Sequence, residues 1–201
     1  MLKVGLTGGL ASGKSFVGQA LVELGCHLMQ ADEIGHQVLL STGEAYAAVL
    51  REFGNAIVQS NGEIDRRALA AQVFGKPERL AALNRIVHPL VFDREEEWLA
   101  ELERTDPHGI AIVEAAILIE TGSYKRFDKI ILVVVDENIQ IERAMRRDGV
   151  TREEVLARLS RQMPLSEKRK YADYILDTSG PKSETLSKAR ELYETLRRIA
   201  K

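Results

Sequence analysis

Near its start, the 201-residue chain carries an eight-residue segment that few folds accommodate, Gly8-Gly9-Leu10-Ala11-Ser12-Gly13-Lys14-Ser15. The segment matches G-x-x-x-x-G-K-[ST] at every fixed position. It follows the strand-like residues 3–7 and opens residues 14–24, which have apolar side chains at helical spacing. In such a strand–loop–helix unit, backbone N–H groups turn inward towards phosphate oxygens, and the helix N-terminus adds partial positive charge. The segment therefore predicts a phosphate-binding loop, or P-loop, against the alternative of a plain glycine-rich turn.

The rest of the apolar pattern predicts an α/β fold of the P-loop NTPase type. Further strands are expected at 26–29, 110–119, 130–135 and 174–176, each followed by a helix-like segment. Strands that alternate with helices form parallel sheets, and ligands bind at the carboxyl ends of those strands. We therefore expect a five-stranded parallel sheet flanked by helices, including a C-terminal amphipathic helix at 183–201.

Two regions interrupt this alternation. Residues 42–105 contain no convincing strand and show helical stretches at 43–53, 66–75 and 78–104, which predicts a helical insertion. The helical segment 137–170 is basic, and its arginines and lysines are Arg143, Arg146, Arg147, Arg152, Arg158, Arg161, Lys168, Arg169 and Lys170.

Composition excludes several classes of protein. The net charge of −2 provides no overall field that would attract nucleic acid or an anionic membrane. The single Cys26 cannot form an internal disulfide, and the strand-like pattern starts directly after Met1 without the long apolar stretch of a signal peptide, so we expect none. No apolar run reaches the roughly 18 residues that cross a bilayer. We expect a cytoplasmic protein with no membrane, nucleic-acid or obligate protein partner.

The loop motif predicts ATP bound with Mg²⁺. Lys14 would reach the β- and γ-phosphates, and the Ser15 hydroxyl would be a ligand of Mg²⁺. Histidines at 27, 36 and 108 show no ligand spacing with one another or with Cys26, so no transition-metal site is expected. The predicted nucleotide-binding residues of this segment are Gly8, Gly9, Leu10, Ala11, Ser12, Gly13, Lys14, Ser15 and Phe16.

Three classes of P-loop protein remain at this point: a small-molecule kinase, a GTPase switch, and an ATPase motor or transporter subunit. A GTPase should contain Asn-Lys-x-Asp, which the sequence lacks. Asp136-Glu137 after an apolar strand resembles the magnesium-binding pair of motor ATPases, but it fits the first turn of the next helix equally well. A kinase needs a second-substrate pocket and an arginine-rich lid, which the insertion and the basic segment supply.

An ordered series of motifs runs from Leu6 to about Gly180: Leu6-Thr7-Gly8-Gly9, Ala31-Asp32, Ile64-Asp65-Arg66 with Leu69 and Phe74, His88-Pro89, Leu118 and Glu120, Gln140-x-x-Arg143-x-x-x-Arg147, Arg158 and Gln162, and Ala172-Asp173-Tyr174. Through this series the chain resembles the dephospho-CoA kinase family.

The resemblance implies transfer of the ATP γ-phosphoryl group to the ribose 3′-hydroxyl of dephospho-CoA. It also implies a nucleotide-binding core at 1–31, 109–139 and 171–201, a helical substrate domain at 32–108 and a lid at 140–170. The implied catalytic residues are Lys14, Arg147 and Asp32, the last as the base that takes the acceptor proton. Arg143 would lie against the adenine. The implied substrate contacts are Asp32, Arg66, His88, Glu114 and Arg161.

Several of these residues have simpler alternative roles. Asp32 could be only a helix N-cap, and Arg143 and Arg147, four residues apart, could form a solvated surface stripe. His88 could mark a helix end before Pro89, and Asp65-Arg66 should begin a helix in any case. Glu114 is the next candidate for the base if Asp32 is only a cap.

The sequence departs from the family pattern at three places. Gln30 replaces the first carboxylate of Asp-Ala-Asp, Ala116 replaces a proline, and Thr178 replaces an asparagine in a loop expected to face the adenine. The remaining alternatives are a kinase for another hydroxyl acceptor and a nucleotide-binding switch or regulatory ATPase.

Overall fold

A computed structural model describes residues Met1–Ala200 and divides the chain into two compact units. Among the described residues, the first unit consists of 1–30 and 101–200, and the second of Ala31–Ala100. Each unit has its own hydrophobic core.

The first unit is built on a parallel sheet. Its strands lie in the order β2-β3-β1-β4-β5, and all four neighbouring pairs are parallel. This confirms the predicted five-stranded parallel sheet. The strands are β1 (Leu2–Gly8), β2 (His27–Gln30), β3 (Ile110–Glu114), β4 (Lys129–Val134) and β5 (Tyr174–Asp177).

Helices cover this sheet, and its central strands are buried along nearly their whole length, as expected for a parallel sheet covered on both faces. The helices of this unit are α1 (Lys14–Glu23), α6 (Glu137–Asp148), α7 (Arg152–Leu159), α8 (Leu165–Lys168) and α9 (Lys182–Ile199). The C-terminal helix packs on the sheet as predicted, through Ala189, Leu192 and Leu196. Leu186 and Ile199, near the two ends of this helix, are exposed.

One strand is shorter than predicted. The apolar run 110–119 suggested a single strand, but β3 ends at Glu114 and residues 115–119 form turns. Glu114 pairs with Gln30, which is the last residue of β2, and with Leu6, after which β1 continues for only two more residues. Residues 115–119 therefore have too few strand partners. Leu118 and Ile119 are nevertheless buried, because they pack as core residues outside the sheet.

The second unit is helical, as expected for the insertion. Its core combines buried residues of the helices Tyr46–Phe53, Arg66–Val73 and Pro77–Thr105 with four buried residues outside these helices, Val38, Ala45, Ile57 and Ile64. The prediction that Asp65 begins a helix is confirmed, since its carboxylate accepts hydrogen bonds from the first-turn amides of Arg67 and Ala68. The helices that lie in or enter this unit are α2 (Ala31–Gln37), α3 (Tyr46–Phe53), α4 (Arg66–Val73) and α5 (Pro77–Thr105).

His88 does not mark a helix end. The α5 helix continues through Pro89 to Thr105, so His88 lies well inside it. Proline removes one backbone donor but can be accommodated within a long helix by a local kink.

No helix within Met1–Ala200 combines the length and the apolar character that a bilayer crossing requires.

Candidate active site

The phosphate-binding loop lies between the carboxyl end of β1 and the N-terminus of α1. Gly13 precedes the helix with φ of 88°, a left-handed conformation that glycine adopts without strain. A cavity of about 400 Å³ lies over the loop. Its lining brings together predicted nucleotide-binding and lid residues, namely Ala11, Ser12, Gly13, Lys14, Ser15, Phe16, Arg143 and Arg147.

Lys14 turns back over the loop. Its ammonium Nζ donates to the carbonyl oxygens of Gly8, at 3.1 Å, and of Gly9, at 3.2 Å. These contacts hold the positive charge at the mouth of the loop. A bound phosphate would offer the ammonium stronger, charge-assisted hydrogen bonds than the two neutral carbonyls provide.

The Ser15 hydroxyl hydrogen-bonds to a buried carboxylate. It donates to Glu114 Oε1 at 2.8 Å, and the side-chain amide of Gln30 donates to Glu114 Oε2 at 3.0 Å. Glu114 is only 6% exposed, whereas Ser15 and Gln30 are exposed residues, and together they satisfy both carboxylate oxygens. Gln30, which departs from the family pattern, therefore orients the carboxylate that contacts Ser15.

Arg143 is fixed to the loop that follows β5. Its guanidinium donates to the Thr178 hydroxyl at 3.1 Å and to the Thr178 carbonyl oxygen at 2.8 Å. The buried Thr178 hydroxyl in turn donates to the carbonyl oxygen of Ser12 at 2.7 Å. Thr178, which replaces the usual asparagine, thus connects Arg143 to the phosphate loop.

Arg147 is held by an acid on its own helix. Its Nε lies 2.7 Å from Asp148 Oδ1, and Arg158 Nη1 lies 2.8 Å from Asp148 Oδ2. The hydrogen bond from Arg147 holds the pKa of Asp148 below its usual value, and the same bond raises the pKa of Arg147. Arg161 lies just beyond α7 and is exposed, whereas Arg143 and Arg147 line the cavity over the loop.

The remaining predicted residues belong to the helical unit. Asp32 is exposed and is the second residue of α2, inside the first turn rather than before it. Arg66 Nη2 lies 2.6 Å from His36 Nε2. His88 is half-buried, its ring centroid is 5.9 Å from that of Phe92, and burial lowers its pKa.

The basic segment also contains a buried lysine, which was not expected of a lid. Lys168 is 1% exposed, and its Nζ lies 2.7 Å from Glu120 Oε1 and 3.3 Å from the Ala116 carbonyl oxygen. This ion pair fixes α8 to the turns after β3. Lys168 is therefore a structural residue within an otherwise exposed cationic segment.

Within Met1–Ala200, no group of three or more histidine, cysteine, aspartate or glutamate side chains could hold a metal ion. Burial raises the pKa of the Cys26 thiol to about 12, so this side chain is a neutral core residue at physiological pH.

Sequence reasoning did not assign roles to four residues that organise the loop, namely Gln30, Gln140, Gln162 and Thr178. Gln140 and Gln162 each form a hydrogen bond with the backbone of Leu10. These residues come from distant parts of the chain. The available signals were the presence of Gln140 and Gln162 in the family series and the departures from the family pattern at Gln30 and Thr178.

Comparisons with known proteins agree with this geometry. The family model described as dephospho-CoA kinase matches residues 2–184. A dephospho-CoA kinase of Geobacillus kaustophilus is 42% identical over 186 residues, which cover 92% of this chain and 91% of that protein. One of Rhizobium meliloti is 42% identical over 197 residues, which cover 98% and 99%.

A crystal structure of a Thermus thermophilus protein, 36% identical, has a TM-score of 0.84 and covers 96% of both chains. Because the family model spans most of the chain and relatives above 30% identity align along nearly its whole length, the chain belongs to the dephospho-CoA kinase family.

Proposed function

We propose that this chain transfers the γ-phosphoryl group of ATP to the ribose 3′-hydroxyl of dephospho-CoA, yielding coenzyme A. The observation that carries the proposal is the family match over residues 2–184, in a chain whose phosphate loop is complete. Phosphoryl transfer requires mainly positioning and electrostatic stabilisation, because the transition state is loose and its charge spreads over the phosphoryl oxygens. The roles proposed below follow from that requirement.

ATP binding is assigned to the loop and to α1. Backbone N–H groups of residues 11 and 13–15 and the N-terminal dipole of α1 would hold the phosphates, and Lys14 would move from the Gly8 and Gly9 carbonyls onto the β- and γ-phosphates. Phe16, whose side chain lies beneath the Lys182 ammonium at 5.5 Å, would border the nucleotide. Arg143 would lie against the adenine.

The residues present fit a magnesium ion that arrives with ATP. Mg²⁺ prefers oxygen ligands, and Ser15 Oγ offers a lone pair while its proton is donated to the buried carboxylate of Glu114. Such an ion would neutralise charge on the β- and γ-phosphate oxygens. Ser15 would hold it directly and Glu114 would orient Ser15, so we favour a magnesium-side role for Glu114 over the substrate contact predicted from sequence.

Replacing Glu114 should therefore weaken the response to magnesium. In Glu114→Gln the buried side chain keeps its size but loses its charge, and the Mg²⁺ concentration for half-maximal activity should rise roughly tenfold, as for other groups that orient a metal ligand. Calorimetric titration of ADP with and without Mg²⁺ should show that the magnesium-dependent part of binding is lost. Glu191→Gln on α9 is the matched control, and equal responses of both variants would rule out this role.

The lid arginines are assigned different parts of the reaction. Arg147 would exchange its ion pair with Asp148 for the transferring phosphoryl group, since its planar guanidinium suits both partners. Arg143 keeps its bonds to Thr178 and would present its face to the adenine. We propose residues 140–170 as the lid, with Arg161 as a further contact for the incoming substrate.

Arg147→Ala should lower kcat by about 30-fold while changing the KM for ATP little, because the guanidinium would bind charge that develops during transfer. Arg143→Ala should instead raise the KM for ATP. Steady-state kinetics at saturating acceptor measures both parameters. Arg146→Ala, an exposed neighbour on α6, controls for loss of surface charge. An unchanged kcat for Arg147→Ala would make this residue a surface partner of Asp148.

We propose residues 32–108 as the substrate domain, with Asp32 as the base and Arg66 and His88 as contacts to dephospho-CoA. Purified protein should be incubated with Mg-ATP and a panel of acceptors: dephospho-CoA, nucleoside monophosphates and small alcohols. ADP release should require dephospho-CoA and should match the coenzyme A formed. Release that another acceptor stimulates better would assign a different kinase reaction, and release without any acceptor would favour a regulatory ATPase.

A further inference from the structure

The tip of the phosphate loop is held by two glutamines from the basic segment. Gln140, in the first turn of α6, donates from Nε2 to the Leu10 carbonyl oxygen at 2.6 Å. Gln162, just beyond α7, accepts at Oε1 from the Leu10 N–H at 3.0 Å. Because a backbone N–H can only donate and a carbonyl can only accept, each side-chain amide has one possible orientation here. Both backbone groups of Leu10 are thus satisfied by lid side chains.

The residue that follows Leu10 has an unfavourable backbone conformation. Ala11 has φ of 52°, and within Met1–Ala200 it is the one residue other than glycine in the left-handed region. A side chain with a Cβ adopts that conformation at a cost, and it persists where the surroundings enforce it. The two glutamine hydrogen bonds to Leu10 restrain the chain on one side of Ala11, and the Thr178 hydrogen bond to the Ser12 carbonyl restrains it on the other.

The same glutamines occupy the space beside Gly9. A Cβ on Gly9 would lie 2.6 Å from Gln140 Nε2 and 3.4 Å from Gln162 Oε1, so the absence of a side chain lets both amides reach the loop. Leu10 and Ala11 also pack against a small apolar cluster made by Ile141, Ala144 and Val155 of α6 and α7. The loop tip is therefore part of the hydrophobic core of the basic segment.

From these contacts we propose that Gln140 and Gln162 are positioning residues that hold the phosphate loop in its anion-binding shape before nucleotide binds. Gln140 lies on the same helix as Arg143 and Arg147, three and seven residues before them. The two glutamine hydrogen bonds to Leu10, which we call the clamp, therefore also set the distance between the loop and these arginines. This inference rests on the proposed ATP site but not on the identity of the acceptor. A chain that binds ATP but fails to phosphorylate dephospho-CoA would leave it intact.

Gln140 donates to Leu10 whereas Gln162 accepts from it, and this difference provides the test. Gln162→Glu retains an oxygen that can accept from Leu10 N–H, whereas Gln140→Glu replaces a donor with a carboxylate facing the Leu10 carbonyl. Both variants keep the side-chain size and add the same charge beside the same residue. Calorimetric titration with Mg-ADP should give Gln162→Glu a dissociation constant within about threefold of wild type. The dissociation constant of Gln140→Glu should be at least about tenfold higher than that of wild type, because this variant loses a hydrogen bond between neutral groups and gains a repulsion between the carboxylate and the Leu10 carbonyl.

A second measurement keeps the proposal testable if Gln140→Glu folds poorly. Hydrogen exchange of the Leu10 amide in nucleotide-free protein should be at least about tenfold faster in Gln162→Ala than in wild type, because the amide loses its acceptor. Ala11→Gly, which removes the strain that the clamp offsets, should recover part of the lost Mg-ADP affinity in Gln162→Ala. Equal dissociation constants for the two glutamate variants, or an unchanged exchange rate at Leu10, would overturn the proposal.

Discussion

Lys14→Ala is expected to leave less than about one hundredth of the wild-type kcat, because a single group that stabilises transition-state charge contributes about 10²–10³ in rate. The side chain lies at the mouth of the loop, where its hydrogen bonds are to the Gly8 and Gly9 carbonyls. It contributes little apolar surface to the core of the first unit. The fold should therefore survive the substitution while phosphoryl transfer fails.

The measurement is coupled ADP release with dephospho-CoA as acceptor, together with far-UV circular dichroism and a thermal melt. Lys129→Ala is the matched control, since this lysine pairs with Asp173 at 3.0 Å on the same unit but away from the loop. Retention of more than about a tenth of wild-type kcat in Lys14→Ala would remove the phosphate loop from the proposed mechanism. A parallel loss of activity in Lys129→Ala would indicate a general defect in folding.

The central strands of the sheet were predictable because burial on both faces leaves an unbroken apolar run, which short-range patterning detects. The same reasoning extended β3 to residue 119, where the apolar run continues but the neighbouring strands end. Strand length depends on partners from elsewhere in the chain, and a local pattern contains no information about them. The helical stretch predicted at 78–104 is confirmed by the helix Pro77–Thr105, and only the alternative that His88 marks a helix end before Pro89 was wrong.

The site was predictable only where its residues are contiguous. The geometry of the loop from Gly8 to Ser15 can be predicted from its own residues, because glycine conformations and the following helix are local properties. The pairs that orient it are not local: Gln30 and Glu114 are 84 residues apart, and Arg143 and Thr178 are 35 apart. Their juxtaposition follows from the order of strands in the sheet, which a single sequence does not specify.

Charge patterning was similarly incomplete. The cationic segment 137–170 correctly indicated exposed arginines near the loop, but Lys168 lies in the core beside Glu120. A buried charge requires a partner that offsets its desolvation, and here the partner lies 48 residues earlier in the turns after β3. Composition could count this lysine but could not separate it from its exposed neighbours.

Asp32→Asn should lower kcat on dephospho-CoA by roughly 10²-fold, within the range typical of general bases, with binding of both substrates retained. In a loose transition state, early proton removal contributes less than holding the acceptor hydroxyl in line with the γ-phosphorus, and a carboxylate can do both. Asparagine keeps the size and part of the hydrogen bonding but cannot accept the proton. The structure places Asp32 in the first turn of α2, directly after β2, and leaves it exposed.

That position also permits the simpler role of a first-turn acid, which favours a helix through its dipole by about 0.3–1 kcal/mol. Glu33→Gln separates the two roles, because Glu33 is the next residue of the same turn, is also exposed and would lose the same charge. Both variants should show similarly small changes in melting temperature, whereas only Asp32→Asn should lose turnover in single-turnover assays at saturating ATP and dephospho-CoA. Near-normal turnover of Asp32→Asn would leave it as a helix-terminal acid. The base would then have to be sought at Glu114, whose two oxygens already accept hydrogen bonds from Ser15 and Gln30.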